Sequence, residues 1–194
     1  MRPGDDRRDG AGPAPAVVVG LDCITGLQTA RILHHRGIPV VGVTSRSRHW
    51  ATRTRACREV VTSPLSGDRL TATLAGIARR WPGPAVLVPC TDEAVHHLSM
   101  HRDVLPPGQV LPLADHRTVE LLMDKVRFAA HAQAARLPVP HTTVLRTRAD
   151  AECVADVVEY PCVLKPPVKS PAEVGENATS NSTESPILNV SRQK

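Results

Sequence analysis

The strongest constraint on the fold is a series of short apolar runs separated by amphipathic segments of helical length. AVVVG (16–20), IPVVGVTS (38–45) and AVLVPC (85–90) are the clearest runs, with EVVTSP (59–64) as a shorter one. Near-continuous apolar strands separated by such helices imply a parallel sheet covered on both faces. After the first run, a predicted helix reaches about Arg36 and sets Cys23, Leu27, Ala30 and Leu33 on one side. Gly37 followed by Ile38-Pro39 ends it. A second helix starts near Ser66 or Asp68 and carries Leu70, Leu74, Ile77 and Ala78. TDEAVHHLSMHRDVL reads as a third helix, capped by Thr91 or Asp92, and QVLPL (109–113) as a further short strand.

The pattern changes near Asp115. HRTVELLMDKVRFAAHAQAARL is one long amphipathic stretch, and the two prolines of LPVPHT then impose an extended segment where a hinge fits. TTVLRT is a strand, AECVADVVE a helix, and PCVLKP (161–166) a strand closed by proline. No Asn occurs in residues 1–171, whereas Asn177, Asn181 and Asn189 fall in a Ser-, Thr- and Glu-rich end with little periodicity. The expected organisation is a disordered N-terminal tail over 1–14, a Rossmann-like domain over 15–113, a helical hinge and second α/β unit over 114–171, and a disordered tail over 172–194.

Composition narrows the class of protein. No apolar stretch approaches the roughly 20 residues a membrane helix needs, and the first sixteen residues lack the apolar centre of a secretion signal, so a cytoplasmic protein is expected. Five cysteines, Cys23, Cys57, Cys90, Cys153 and Cys162, are widely spaced without a C-x-x-C pair, against a disulfide framework or a cysteine-rich zinc site. The net charge of +5 comes mostly from arginine, and with only 2% aromatic residues there is little to stack on bases, so no nucleic-acid partner is expected.

Several motifs could carry a site. The first βα turn, Gly20-Leu21-Asp22-Cys23-Ile24-Thr25-Gly26, has glycines where a chain turns tightly from strand into helix, which suits a small-molecule site at Gly20, Asp22, Thr25 and Gly26. It is not the dinucleotide fingerprint, because Asp22 stands where G-x-G-x-x-G needs glycine and would repel a pyrophosphate. The other reading makes Asp22 or Thr25 the cap of the helix. Arg46 and Arg48 after the second run could neutralise the 2′-phosphate of NADP, supporting a non-catalytic NADP- or small-ligand-binding module as the alternative, or could belong to a solvated basic run with Arg53, Arg55 and Arg58. Asp92 and Glu93 follow a strand end, where they could grip a substrate amine or hydroxyl, or charge-stabilise a helix N-terminus. His97 and His101 have i, i+4 spacing beside His96, but without a third ligand they read as a histidine face and not a metal site.

The succession VVVGLDCITGLQTARILHHRGIPVVGV, VLVPCTDEAV, LLMDKVRFAAHAQAARLPVPHT and YPCVLKP resembles the ATP-grasp ligases of the carboxylate-amine ligase and carbamoyl-phosphate-synthase-like type, over residues 16 to about 170. The resemblance implies an α/β fold: a Rossmann-like parallel sheet that helps bind substrate, followed by an incomplete α+β ATP-grasp subdomain. By position, Lys125 of MDK and Lys165 of VLKP match family lysines that contact ATP phosphates, and fixed positive charge is what a phosphate chain needs. The implied chemistry is ATP-dependent activation of a carboxylate as an acylphosphate, which an amine attacks, with Mg2+ bridging the phosphates. In the family the acidic metal ligands and an Asn lie in the final subdomain. Nothing after Lys165 resembles that region, so the chain is expected to be inactive alone, with no metal ligands and no catalytic residues of its own.

Overall fold

The computed structural model describes residues 13–81, 83–140, 142–156, 158, 162–165 and 188–192. The chain divides into two compact units between His116 and Arg117.

The first unit is a five-stranded parallel sheet wrapped by helices on both faces. Its strands are β1 (Ala16–Val19), β2 (Val40–Thr44), β3 (Glu59–Thr62), β4 (Ala85–Pro89) and β5 (Gln109–Val110). They are ordered β3-β2-β1-β4-β5, with Val17 beside both Val41 and Leu87. The helices are α1 (Ile24–His35), α2 (Gly67–Arg80) and α3 (Asp92–Met100).

Side-chain alternation along the strands divides the core between the two faces. Val17, Val19, Val41, Val43 and Leu87 meet Leu70, Leu74 and Ile77 of α2 and Ala94 and Leu98 of α3. Val18 and Val40 meet Leu27 and Ala30 of α1 together with Leu21. Gly42 is required on this second face, since a Cβ there would lie 2.6 Å from Leu21 Cδ2 and 3.2 Å from Cys57 Sγ. Burying β1 and β2 completely explains why they read as near-continuous apolar runs.

Helix ends follow local chemistry. Gly37, at φ 75, closes α1: its N–H donates to His34 O, and the Ile38 N–H to Leu33 O. The third predicted helix is divided, α3 ending at Met100 and a 3-10 turn following at Arg102–Val104. QVLPL pairs with the sheet only at Gln109 and Val110. A 3-10 turn at Trp50–Arg53, absent from the sequence expectation, buries Ala51 at 1% exposure.

The second unit contains α5 (Lys125–Ala134), β6 (Thr142–Leu145), α6 (Arg148–Ala155), β7 (Cys162–Lys165) and β8 (Leu188–Arg192), with α4 (His116–Met123) at the unit boundary. The long amphipathic stretch is therefore two helices. Asp124 interrupts it in an extended conformation, its carboxylate accepting from the amides of Val126 (2.9 Å) and Arg127 (3.0 Å) to cap α5. Arg136, at φ 53, takes the left-handed turn that ends α5. The helix predicted at AECVADVVE begins earlier, because Thr147 and Asp150 form a reciprocal capping box.

Strand β8 lies between β6 and β7, antiparallel to both, pairing Val144 with Asn189 and Leu164 with Val190. The expectation of disorder over 172–194 thus fails at 188–192, where Leu-Asn-Val-Ser-Arg alternates apolar and polar residues as a strand does. The rest of that tail, and residues 1–12 of the expected N-terminal tail, lie outside the described residues. Among the described residues no helix is long and apolar enough to cross a membrane.

Candidate functional site

The strand order reverses direction between β1 and β4, so the turns leaving these two strands open a crevice at their carboxyl ends. The turns touch directly. A Cβ on Gly20, which sits at φ +97, would lie 2.8 Å from Thr91 Cγ2. Gly26 packs closer still, its hypothetical Cβ falling 2.0 Å from Gly20 O, so this glycine lets α1 start against the end of β1. Both glycines therefore have a packing reason to be there, and together they shape the crevice wall.

Neither Asp22 nor Thr25 caps α1. Cys23 does so, its sulfur accepting from the Gly26 amide at 3.2 Å while its thiol donates to Cys90 O at 3.4 Å, which ties the two turns together. Asp22 instead holds the end of β2. Its Oδ2 accepts from Ser45 Oγ at 2.6 Å, the Ser45 amide at 3.2 Å and Arg46 Nε at 3.4 Å, and Arg46 also donates to Asp22 O. The carboxylate is 5% exposed. Burial pushes its pKa up, but the hydrogen bonds from Ser45, its own backbone and Arg46 outweigh this and hold it below the ordinary carboxylate range.

On the opposing wall Thr91 caps α3 by accepting from the Ala94 amide at 3.2 Å. Asp92 is exposed in the first turn beside it. Glu93 is directed away to α2, where it accepts from the hydroxyl of Ser66, the N-cap residue that makes no cap bond of its own. The same junction holds His97: its Nδ1 accepts from the Gly67 amide at 3.2 Å and its Nε2 lies 3.3 Å from Thr71 Oγ1. Its ring stacks on His101 at 4.3 Å between centroids, and His101 Nδ1 faces His97 O. The i, i+4 histidine pair is thus a packed helix face joining α3 to α2.

At the crevice Gly20, Gly26 and Thr91 meet, with Thr25 and Asp92 exposed on the turns beside them, Asp22 fastened to the end of β2 and Glu93 bonded to Ser66. An exposed hydroxyl and carboxylate on such a rim suit an amine- or hydroxyl-bearing ligand. Cys23, Ser45 and Thr91 organise the turns. Cysteine is not a usual N-cap residue, so nothing in the sequence marked Cys23, whereas Thr91 preceded a helix pattern that did mark it.

Lys125 and Lys165 both lie in the second unit, Lys125 as the first residue of α5 and Lys165, exposed, as the last of β7. Asp124, Asp150 and Glu152 of this unit are committed to two helix caps and an ion pair with Arg148. Among the described residues of the second unit no three His, Cys, Asp or Glu side chains converge as metal ligands would.

A doubly wound α/β unit with its crevice at the switch point, followed by a second unit built on an antiparallel sheet, is the class of protein these features define. Comparison with solved structures gives the particular fold, that of the ATP-grasp enzymes, matched in part. N5-carboxyaminoimidazole synthetase from Staphylococcus aureus, complexed with ADP, is similar over 93% of this chain and 46% of its own, with 12% identity and a TM-score of 0.57. N5-carboxyaminoimidazole ribonucleotide synthetase from Thermus thermophilus is similar over 92% and 46%, with 16% identity and a TM-score of 0.55. L-amino acid ligase from Bacillus licheniformis is similar over 94% and 44%, with 14% identity and a TM-score of 0.54. The chain spans about half the length of these structures. No protein-family model and no curated protein matches the sequence.

Proposed function

We propose that the chain supplies the substrate-presenting unit and the first ATP-contacting elements of an ATP-dependent carboxylate–amine ligase, and that it does not complete the reaction alone. The observation that carries this reading is the pairing of a switch-point crevice with a second unit bearing Lys125 and Lys165, in a fold similar to that of ligases, one of them an ADP complex.

The crevice residues have the chemistry to hold a small substrate: Asp92 an amine or hydroxyl, and Thr25 and Thr91 a polar edge. Lys125 and Lys165 would bind and orient the phosphates of ATP, whose γ-phosphoryl group passes to a substrate carboxylate oxygen. The amine then attacks the acyl carbon, and phosphate leaves with the carboxylate oxygen. Magnesium would neutralise charge on the phosphates; of the acids described in the second unit, Asp124 and Asp150 cap helices and Glu152 pairs with Arg148. The 46% share of the neighbours' length that the chain covers supports incompleteness.

An NADP-binding module is the competing reading. Asp22 at the turn and Arg46 fastened to it weigh against a pyrophosphate and a 2′-phosphate there. Thermal-shift titration separates the two. ATP should raise Tm where NADP does not, and the Lys125→Ala/Lys165→Ala variant should lose the shift. A shift with NADP alone would sink the ligase reading.

A further inference from the structure

Independently of the ligase reading, we propose that a second cavity, at the opposite end of β2 from the crevice, binds a small phosphate-bearing anion. The cavity has a volume of about 190 Å³. His34 from the last turn of α1, Gly37, the Ile38-Pro39-Val40 entry to β2, and Arg55 and Arg58 from the segment before β3 line it. It lies a full strand length, roughly 15 Å, from the carboxyl end of β2.

Charge points to an anion. Residues 31–58 contain seven arginines and three histidines and no acidic residue. Three arginines are neutralised: Arg46 pairs with Asp22, Arg80 with Glu59 and Arg148 with Glu152. Among the described residues neither Arg55 nor Arg58 has an acidic partner.

The arginines are also held in place by their backbones. The Arg58 amide donates to Val40 O at 2.8 Å, and its guanidinium lies over the Trp81 ring at 6.0 Å. Arg55 sits between Thr54, whose hydroxyl accepts from the Ala56 amide at 3.2 Å, and Ala56 itself, 7% exposed in the core. A guanidinium fork on a fixed backbone matches the oxygens of a phosphate group. The end of α1, which would otherwise repel an anion, has its Ile32, Leu33 and His34 carbonyls engaged by the Arg36, Ile38 and Gly37 amides. A Cβ at Gly37 would meet nothing within 4 Å, so the mouth is open there. Beneath the cationic rim, Ile38, Pro39 and Val40 offer an apolar floor for the carbon part of a phosphate monoester.

The test is isothermal titration calorimetry of the full chain with glycerol 3-phosphate and with inorganic phosphate, at roughly physiological salt so that diffuse attraction is screened. Saturable binding at one site is expected. Arg55→Ala and Arg58→Ala should each weaken it about tenfold, the size of one lost charge-assisted bidentate contact. Arg48→Ala, in the same basic segment but outside the cavity, should leave it unchanged. If removing Arg58 from Trp81 unfolds the chain, Arg55→Glu and His34→Ala take its place. Tighter binding of glycerol 3-phosphate identifies an organic monoester as the ligand, and equal binding identifies free phosphate. The proposal is overturned if neither ligand binds saturably, if Arg48→Ala weakens binding as much as Arg55→Ala does, or if only an oligonucleotide binds.

Discussion

Asp22 fastens the first βα turn to the end of β2 through one nearly buried carboxylate, and its protonation state should be visible in stability. Its folded pKa is depressed, so its contribution is present above the unfolded value of about 3.9 and is lost as pH falls through the folded value. Asp22→Ala leaves Ser45 and Arg46 without their acceptor and should cost about 1–3 kcal/mol in urea denaturation near neutral pH, a cost that shrinks in acid. An equal loss at all pH values would show that the charge is irrelevant. His97 works in the same sense, from a higher pH. Burial and the neighbouring His101 lower its pKa, with His96 adding to this and Asp68 and Glu93 opposing it. The unfolded chain therefore binds a proton first, and stability should fall as pH drops below about 6.5 until the folded value is reached. His97→Gln should flatten that slope in pH-dependent melting. At this scale the sequence marked Asp22 and the histidine face, because charge and spacing are visible in one dimension. It could not show that Ser45, 23 residues away, would take up the carboxylate, or that Ser66 would draw Glu93 out of the crevice. Those partners are set by which strand ends lie side by side.

Among the elements, α1 depends most on a single atom that is missing. An exposed mid-helix Gly→Ala change ordinarily stabilises by about 0.5–1 kcal/mol. At Gly26 the sign should reverse, because the added methyl would fall 2.0 Å from Gly20 O and backbone must move to admit it. The expected loss is about 3 kcal/mol or more, measured as a lowered urea midpoint with unchanged slope. A neutral Gly26→Ala would mean that α1 slides freely on the sheet. Elements of the first unit were legible because β1 and β2 are buried on both faces, with β4 buried on one and half-buried on the other, and such strands read as apolar runs. The division of α4 from α5 was less visible. Its apolar period runs through Asp124, and only the capping geometry of that residue shows that it begins a helix. Strand β8 was hidden because its alternation spans only five residues within a Ser-, Thr- and Glu-rich end, and pairing on both sides supplies its order.

Over the whole molecule, apolar burial is unevenly shared, and this should set the order of unfolding. Both hydrophobic clusters consist of first-unit residues, while in the second unit the buried apolar side chains among the described residues are Val119, Ala132 and Leu145. Conformational entropy is lost throughout an ordered chain, but apolar burial offsets it only where a core exists. The antiparallel β6-β8-β7 sheet should therefore open at a lower free energy than the five-stranded sheet. Hydrogen exchange followed by mass spectrometry provides the measurement. Amides of β1 and β2, in the middle of the first sheet, should exchange only through global opening of that unit, with those of β6 and β7 exchanging earlier and in a separate step. Lys165, at the end of β7, belongs to the weaker sheet, so a nucleotide held by it should slow exchange in β6 and β7 and leave β1 unchanged. Uniform protection across both sheets without nucleotide would mean that the second unit draws its stability from something other than its own apolar side chains.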